Sequence, residues 1–295
     1  MTRVYDEASI LREGLAITSK QQGQVVGSKA SVDKFRSIFG VLPSTVLQIF
    51  SDIRNKDLVD NEESIIEKPV VKKLLVALMW LKMYLTEEQL SSFTGSDMKT
   101  IRQNNWKYTK AIAALKVSKI DATFNLEDEI AEIPITVDGT HCPIEEPRKE
   151  PSKTWYSHKF HGPGLAYEIA LLIHKPQIVW INGPFKAGES DTALFTKPNG
   201  LREKLVAAGK LAVADDGYKG QLDTLITKNP FYSNEVTAFC KRARARQESV
   251  NKRLKDFKVA SSKFRHGHMK HGMCFHAVAV LLQYDMDNGM PLFDF

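Results

Sequence analysis

At Ile133-Pro134-Ile135-Thr136-Val137-Asp138 (IPITVD) the hydrophobic period of the chain changes. Upstream, apolar residues recur at helix spacing. Here branched residues run into an acid, the pattern of a buried strand that emerges at its end. Leu165–Ile173 (LAYEIALLI) and Gln177–Ile181 (QIVWI) give two further strands, joined at Lys175-Pro176 as a hairpin. Gly162-Pro163-Gly164 before them reads as a turn. Leu201–Ala208 predicts a helix with Gly209 as its stop. Lys210–Ala214 (KLAVA) is a short buried strand leading into Asp215-Asp216-Gly217. Long helices are expected over Asn234 to about Lys258 and Cys274 to about Tyr284. Strand, hairpin, helix, strand, helices is a mixed α/β order with helices packed on a sheet.

Outward toward the N-terminus the pattern is helical. Residues 1–30 are polar and weakly patterned and read as a flexible lead-in. Phe35, Ile38, Phe39 and Leu42 lie on one helix face, and Pro43 stops that run. Ser44–Ile53 is a short amphipathic helix, Asp57–Glu67 a solvated acidic connection, and Pro69 opens a helix over Val70–Tyr84. Thr86-Glu87-Glu88-Gln89 fits a capping box, a helix follows to Phe93, and Thr94-Gly95-Ser96 turns into a second helix from Met98. Helix, glycine turn, helix is the outline of a helix-turn-helix, which contact with DNA and plain packing would both satisfy. Glu127–Glu132 marks the boundary. The organisation expected is a helical, helix-turn-helix-like domain over residues 31–118 and an α/β domain over residues 120–295.

The 295 residues hold 41 Lys+Arg and 35 Asp+Glu, a net charge of +6. Residues 241–270 alone carry eleven Lys/Arg against two acids, a local +9, so the other 265 residues sum to −3. A concentrated basic block is the footprint expected at a phosphate backbone. Lys241–Arg246 (KRARAR) also resembles a nuclear localisation signal, although its place on a long helix favours a phosphate-facing surface. Three scattered cysteines, Cys142, Cys240 and Cys274, argue against a disulfide framework. The N-terminus has no signal-peptide core, and the longest apolar run, Leu74–Leu81, is too short for a bilayer. A soluble intracellular protein is expected. His266, His268, His271, Cys274 and His276 cluster, but at no structural zinc spacing. Trp155, Tyr156 and Lys159 precede the second strand, where nucleic-acid contact and ordinary packing are both open.

Asp138 and Asp215 follow strands, and Glu248 stands alone among the bases of the long helix. Three converging carboxylates would make a hard oxygen site for Mg²⁺ or Mn²⁺. Each also has a plainer role: a turn residue for the two Asp, or a surface partner of Arg244 and Lys252 for Glu248.

Val137-Asp138-Gly139-Thr140-His141 resembles the "DGTH" motif of PIF/Harbinger-type DDE transposases. Ala214-Asp215-Asp216-Gly217-Tyr218 is similar to the family's "GDxGY", with Ala214 in place of the usual Gly. Arg246-Gln247-Glu248, Leu254-Lys255 and Lys263-Phe264-Arg265 resemble its final helix motif, with Lys252-Arg253 replacing a usual Phe-Gly. Gly188-Glu189-Ser190-Asp191 loosely resembles its "GSxxD" turn. The resemblance spans about residues 120–295. It implies an RNase H-like mixed sheet flanked by helices and a catalytic triad of Asp138, Asp215 and Glu248. Asp191 would be either a further metal ligand or a helix N-cap. The implied activity is cutting of DNA by water and strand transfer by a 3′-hydroxyl, with two Mg²⁺ or Mn²⁺ ions. Arg242, Arg244, Arg246, Lys252, Lys255, Lys263 and Arg265 would face DNA. Transposon ends and target DNA, a Myb-like accessory protein, a homo-oligomer and nuclear import complete the expectation. The alternative is a domesticated, non-catalytic DNA-binding descendant.

Overall fold

The computed structural model describes residues 5–18, 28–59, 70–121, 124–147 and 150–295. Most of the acidic connection, from residue 60 on, together with Pro69, lies outside them. The chain divides into two units. One comprises residues up to Lys116 with Asp256–Val259 and Met273–Met290. The other comprises Val117–Lys255, Ala260–Gly272 and Pro291–Phe295.

The first unit is helical. α1 (Glu7–Thr18) lies where a lead-in was expected, and it buries Ile10, Leu11, Leu15 and Ile17. Its start carries a local signal: Asp6 Oδ1 accepts from the Ser9 amide, and Ser9 Oγ accepts from the Asp6 amide. α2 (Lys29–Phe39) is N-capped by Ser28 and ends at Gly40, whose φ of 85° suits a residue without Cβ. Pro43 does not stop a helix but opens α3 (Pro43–Asn55), where its missing N–H costs no hydrogen bond. α4 (Val71–Met83) buries nine residues around nearly its whole circumference. Each buried Leu there contributes roughly 2 kcal/mol of transfer free energy. α5 (Glu87–Thr94) has the expected capping box at Thr86 and Gln89, and Gly95 closes it at φ 69°. α6 (Met98–Ala114) is capped by Asp97. α5 and α6 are thus two helices joined by a three-residue turn. The C-terminal part of the chain returns to this unit: Tyr284 Oη donates to Asp52 at 2.5 Å, and Asp285 is buried against α2 and α3.

The second unit is a six-stranded mixed sheet flanked by helices. β1 (Ile135–Pro143) is followed by α7 (Ser152–Trp155), the two-residue β2 (Tyr156–Ser157), β3 (Gly162–Leu172) and β4 (Ile178–Lys186). Gly162-Pro163-Gly164 is therefore the start of a strand and not a turn. Then come α8 (Asp191–Phe195), α9 (Leu201–Ala208), β5 (Ala212–Val213), β6 (Leu225–Ile226) and α10 (Asn234–Lys255); α11 (Lys258–Ser261) and α12 (His268–Asp287) follow in the chain, with residues 258–259 and 273–287 belonging to the helical unit. β3 pairs antiparallel with both β1 and β4, whereas β5 runs parallel to β1 and β6 parallel to β5. One face of the sheet presents Ile135, Val137, Ala170 and Leu172 to Phe195, Leu201, Leu205 and Tyr218. α10 covers the other face, where Gln247 and Thr136 Oγ1 meet at 2.7 Å. Gly209 stops α9 at φ 60°, as its sequence predicts.

Candidate active site

Asp138 does not end a strand. It sits in the middle of the nine-residue β1, opposite Ile169. Strand alternation turns Asp138 and Thr136 to the face covered by α10 and turns Gly139 to the other face. Asn251 Nδ2 on α10 donates to Asp138 Oδ2 at 2.5 Å. Burial is the main force on the Asp138 carboxyl. Lys159 opposes it, and Asp215 and Asp191 add like charge, so its pKa rises from 3.8 to about 7.

Gly139 makes room for a second acid. A Cβ there would fall 2.1 Å from Asp191 Oδ1. Asp191 is not the N-cap of α8: Ser190 holds that position, its Oγ accepting from the Ala193 amide at 3.2 Å. This frees the Asp191 carboxylate to face the sheet, and its buried Oδ1 has no hydrogen-bond partner. Asp215 follows β5 and caps the tight turn Asp216–Tyr218 by accepting from the Gly217 amide at 2.9 Å. Gly217 brings the two acids together, since a Cβ on it would lie 3.0 Å from both Asp191 Oδ2 and Asp215 Oδ1.

Three groups that the sequence did not assign to the acids, Lys159, Glu168 and Tyr218, complete the site. Lys159 projects from the turn between β2 and β3. Its ammonium donates to the Gly139 carbonyl at 2.6 Å and lies 3.4 Å from Asp191 Oδ2. Ser157 fixes that turn, accepting from the Lys159 amide and hydrogen-bonding His141 Nδ1 at 2.8 Å. Glu168, paired with Gly139 across the strands, is fully buried. Trp180 Nε1 donates to its Oε1 at 2.9 Å, its Oε2 has no partner, and burial pushes its pKa from 4.5 to about 7. The buried Tyr218 hydroxyl also lacks a partner, and burial with the surrounding acids holds its pKa well above 10.

Glu248 lies on the exposed side of α10, one turn before Asn251. It is Asn251, and not Glu248, that touches Asp138. Among the described residues no three His, Cys, Asp or Glu side chains stand close enough to hold a metal ion as a group. The donor chemistry nevertheless fits a hard divalent cation. It is all oxygen, it is crowded with like charge, and it includes buried carboxylate oxygens with no donor.

The basic block divides by its surroundings. Arg246 is 2% exposed, and its guanidinium is held by the Phe293 carbonyl and ring. Lys255 reaches inward to the carbonyls of His141 and Ala260. Both cations are used inside the unit, which removes them from a DNA-facing set. Arg242 donates to the Asp294 carbonyl at 2.5 Å, and Lys263 pairs with Glu145 at 3.1 Å. Lys252 and Arg265 are exposed and Arg244 is half-buried. His271 is buried, with its Nδ1 2.7 Å from the Tyr167 hydroxyl, and Trp155 is buried as well.

Residues 137–283 match the family model of the DDE superfamily endonucleases. A curated relative is described as a probable transposase for insertion sequence element IS702 from Microchaete diplosiphon. It is 27% identical over 163 residues, which cover 52% of this chain and 57% of the relative. No solved structure matches the chain. No helix of the described residues is long and apolar enough to cross a membrane. Residues 137–283, just under half of the chain, are thus similar to the DDE superfamily endonucleases, and they include nearly all of the mixed sheet and the acids beside β1.

Proposed function

We propose that the protein is a transposase-type nuclease that cuts DNA phosphodiester bonds and transfers a strand, using Asp138, Asp215 and Glu248 as its carboxylate triad. The observation that carries this is the like charge that Asp191 and Asp215 add at half-buried Asp138. A folded chain keeps such like charges together at a cost to stability, and a cation or a reaction is the usual reason. The sheet supports the reading: β4-β3-β1-β5-β6, with the last two strands parallel to β1, is the order expected of an RNase H-like fold.

Asp138, Asp215 and Glu248 would hold Mg²⁺ or Mn²⁺, with Asp191 as a flanking ligand. A divalent cation bound there supplies Lewis-acid charge at the scissile phosphate and lowers the pKa of the attacking hydroxyl. The chain's own groups do the rest. Asn251 orients Asp138, Gly139 and Gly217 let the acids approach, and Asp138 releases its proton near neutral pH before it can act as a ligand. Arg242, Arg244, Lys252, Lys263 and Arg265 would hold the DNA backbone with salt-sensitive affinity, exchanging present partners for phosphate. Assignment to the PIF/Harbinger type, a Myb-like partner, homo-oligomeric assembly and nuclear import rest on the motif resemblance.

The test is cleavage of end-containing DNA with Mg²⁺ or Mn²⁺, wild type beside Asp138→Asn. Metal-dependent cutting by wild type alone is expected. Equal cutting by both would remove Asp138 from the chemistry. DNA binding with no cutting by either would favour the domesticated, non-catalytic protein.

A further inference from the structure

Lys159 is the basic side chain seated at the acids. It is 43% exposed, so its ammonium touches both solvent and the site. Its contacts are the Gly139 carbonyl at 2.6 Å and Asp191 Oδ2 at 3.4 Å. Gly139 follows Asp138 directly, so the ammonium stands where positive charge is most needed. The turn that carries it is anchored through Ser157 to His141 of β1, which fixes the base of the side chain while leaving its long stem free to swing.

We propose that Lys159 has two successive roles. In the free protein it is the internal counter-ion of the acids. When a divalent cation takes over that charge, the ammonium is released to bind a non-bridging oxygen of the scissile phosphate. Lys159 is then a substrate-binding residue of the nuclease site and a competitor of the metal. A salt bridge that merely ties the turn to α8 would do neither. The proposal rests on the carboxylate site described above.

The experiment is Mn²⁺ binding to the DNA-free protein, read by electron paramagnetic resonance, for wild type, Lys159→Met, Lys159→Arg and Asp138→Asn, followed by cleavage rates at saturating Mn²⁺. Removing one screened positive charge from the site should tighten Mn²⁺ binding on the order of tenfold. Lys159→Arg keeps the charge and should bind Mn²⁺ as wild type does, which also reports that the turn is intact. With metal saturating, Lys159→Met should cut about a hundredfold more slowly, because one donor to the transition-state charge is gone. Unchanged or weaker Mn²⁺ binding by Lys159→Met, with binding lost in Asp138→Asn, would overturn the counter-ion role and leave the carboxylate site standing. An unchanged cleavage rate for Lys159→Met at saturating Mn²⁺ would overturn the phosphate contact. Wild-type Mn²⁺ binding by Asp138→Asn would overturn the carboxylate site itself, and the Lys159 proposal with it.

Discussion

Each unit buries acids, and it treats them differently. In the helical unit Asp285 is 2% exposed and fully served. Arg36 Nη2 donates at 3.1 Å, the Leu42 amide at 3.0 Å and Thr45 Oγ1 at 3.2 Å. In the sheet unit Asp191 adds like charge to both half-buried Asp138 and buried Glu168, and Asp191 Oδ1 and Glu168 Oε2 lack any donor. A buried carboxylate with three donors pins helices together. Carboxyls such as Asp138 and Glu168, whose pKa burial and neighbouring acids raise, cost stability when charged, as functional sites often do. Hydrogen-bond satisfaction, more than burial or charge, thus separates the structural acid from those of the proposed site.

Substitutions can break that contrast, and the largest effect belongs to Asp138. Asp138→Asn should lower cleavage by about a thousandfold or more while raising stability above pH 7, because it removes a charge the fold resists. Cleavage rates and urea midpoints on one preparation check both halves. A destabilised Asp138→Asn would place Asp138 with Asp285. The mirror-image change is Asp285→Ala, expected to destabilise by about 3 kcal/mol, because Arg36, Leu42 N and Thr45 lose their shared acceptor. A urea midpoint within error of wild type would remove Asp285 from its structural role.

Glu168→Gln sharpens the comparison through pH. The unfolded glutamate titrates near 4.5 and the folded one at about 7. Between those values the folded chain holds the extra proton, so wild-type stability falls as pH rises and stays low above 7. Glu168→Gln should lack this fall and exceed wild type on the order of 2–3 kcal/mol at pH 8, converging with it below pH 4.5. Parallel denaturation curves at pH 5 and 8 with no such gap would contradict the buried charge. The smallest effect expected is for Asn251→Ala, a loss of about tenfold in cleavage, or ~1.4 kcal/mol, since Asn251 only orients Asp138. Steady-state kinetics at saturating metal would measure it.

What the sequence made legible follows the range of each interaction. The Thr86–Gln89 capping box and the Gly209 stop are written in adjacent residues, and both stand where predicted. The hairpin of β3 and β4 is equally local. α1 escaped despite the Asp6–Ser9 pair at its start, because its weak apolar pattern hid a short buried face. Asp138 was misplaced to a strand end because polar Thr140 and His141 after it look like loop, yet β1 continues through them against β3. Ser190 precedes Asp191, and either could cap α8. The fold seats Ser190 as the cap and leaves Asp191 free of that role. Lys159 and Asn251 were out of reach, since their contacts join residues that lie 20 or more positions apart in the chain. Arg246 and Lys255 looked like DNA-facing bases for the same reason: the carbonyls that hold them belong to distant segments.

The most direct measurement is an anomalous difference map from crystals of the protein soaked in Mn²⁺. The account predicts a peak between the carboxylates of Asp138 and Asp215, within about 2.0–2.6 Å of their oxygens, with Glu248 or Asp191 drawn in to complete the shell and Lys159 displaced from Gly139. A map with no peak at Asp138, or with Mn²⁺ bound only elsewhere on the surface, would contradict it.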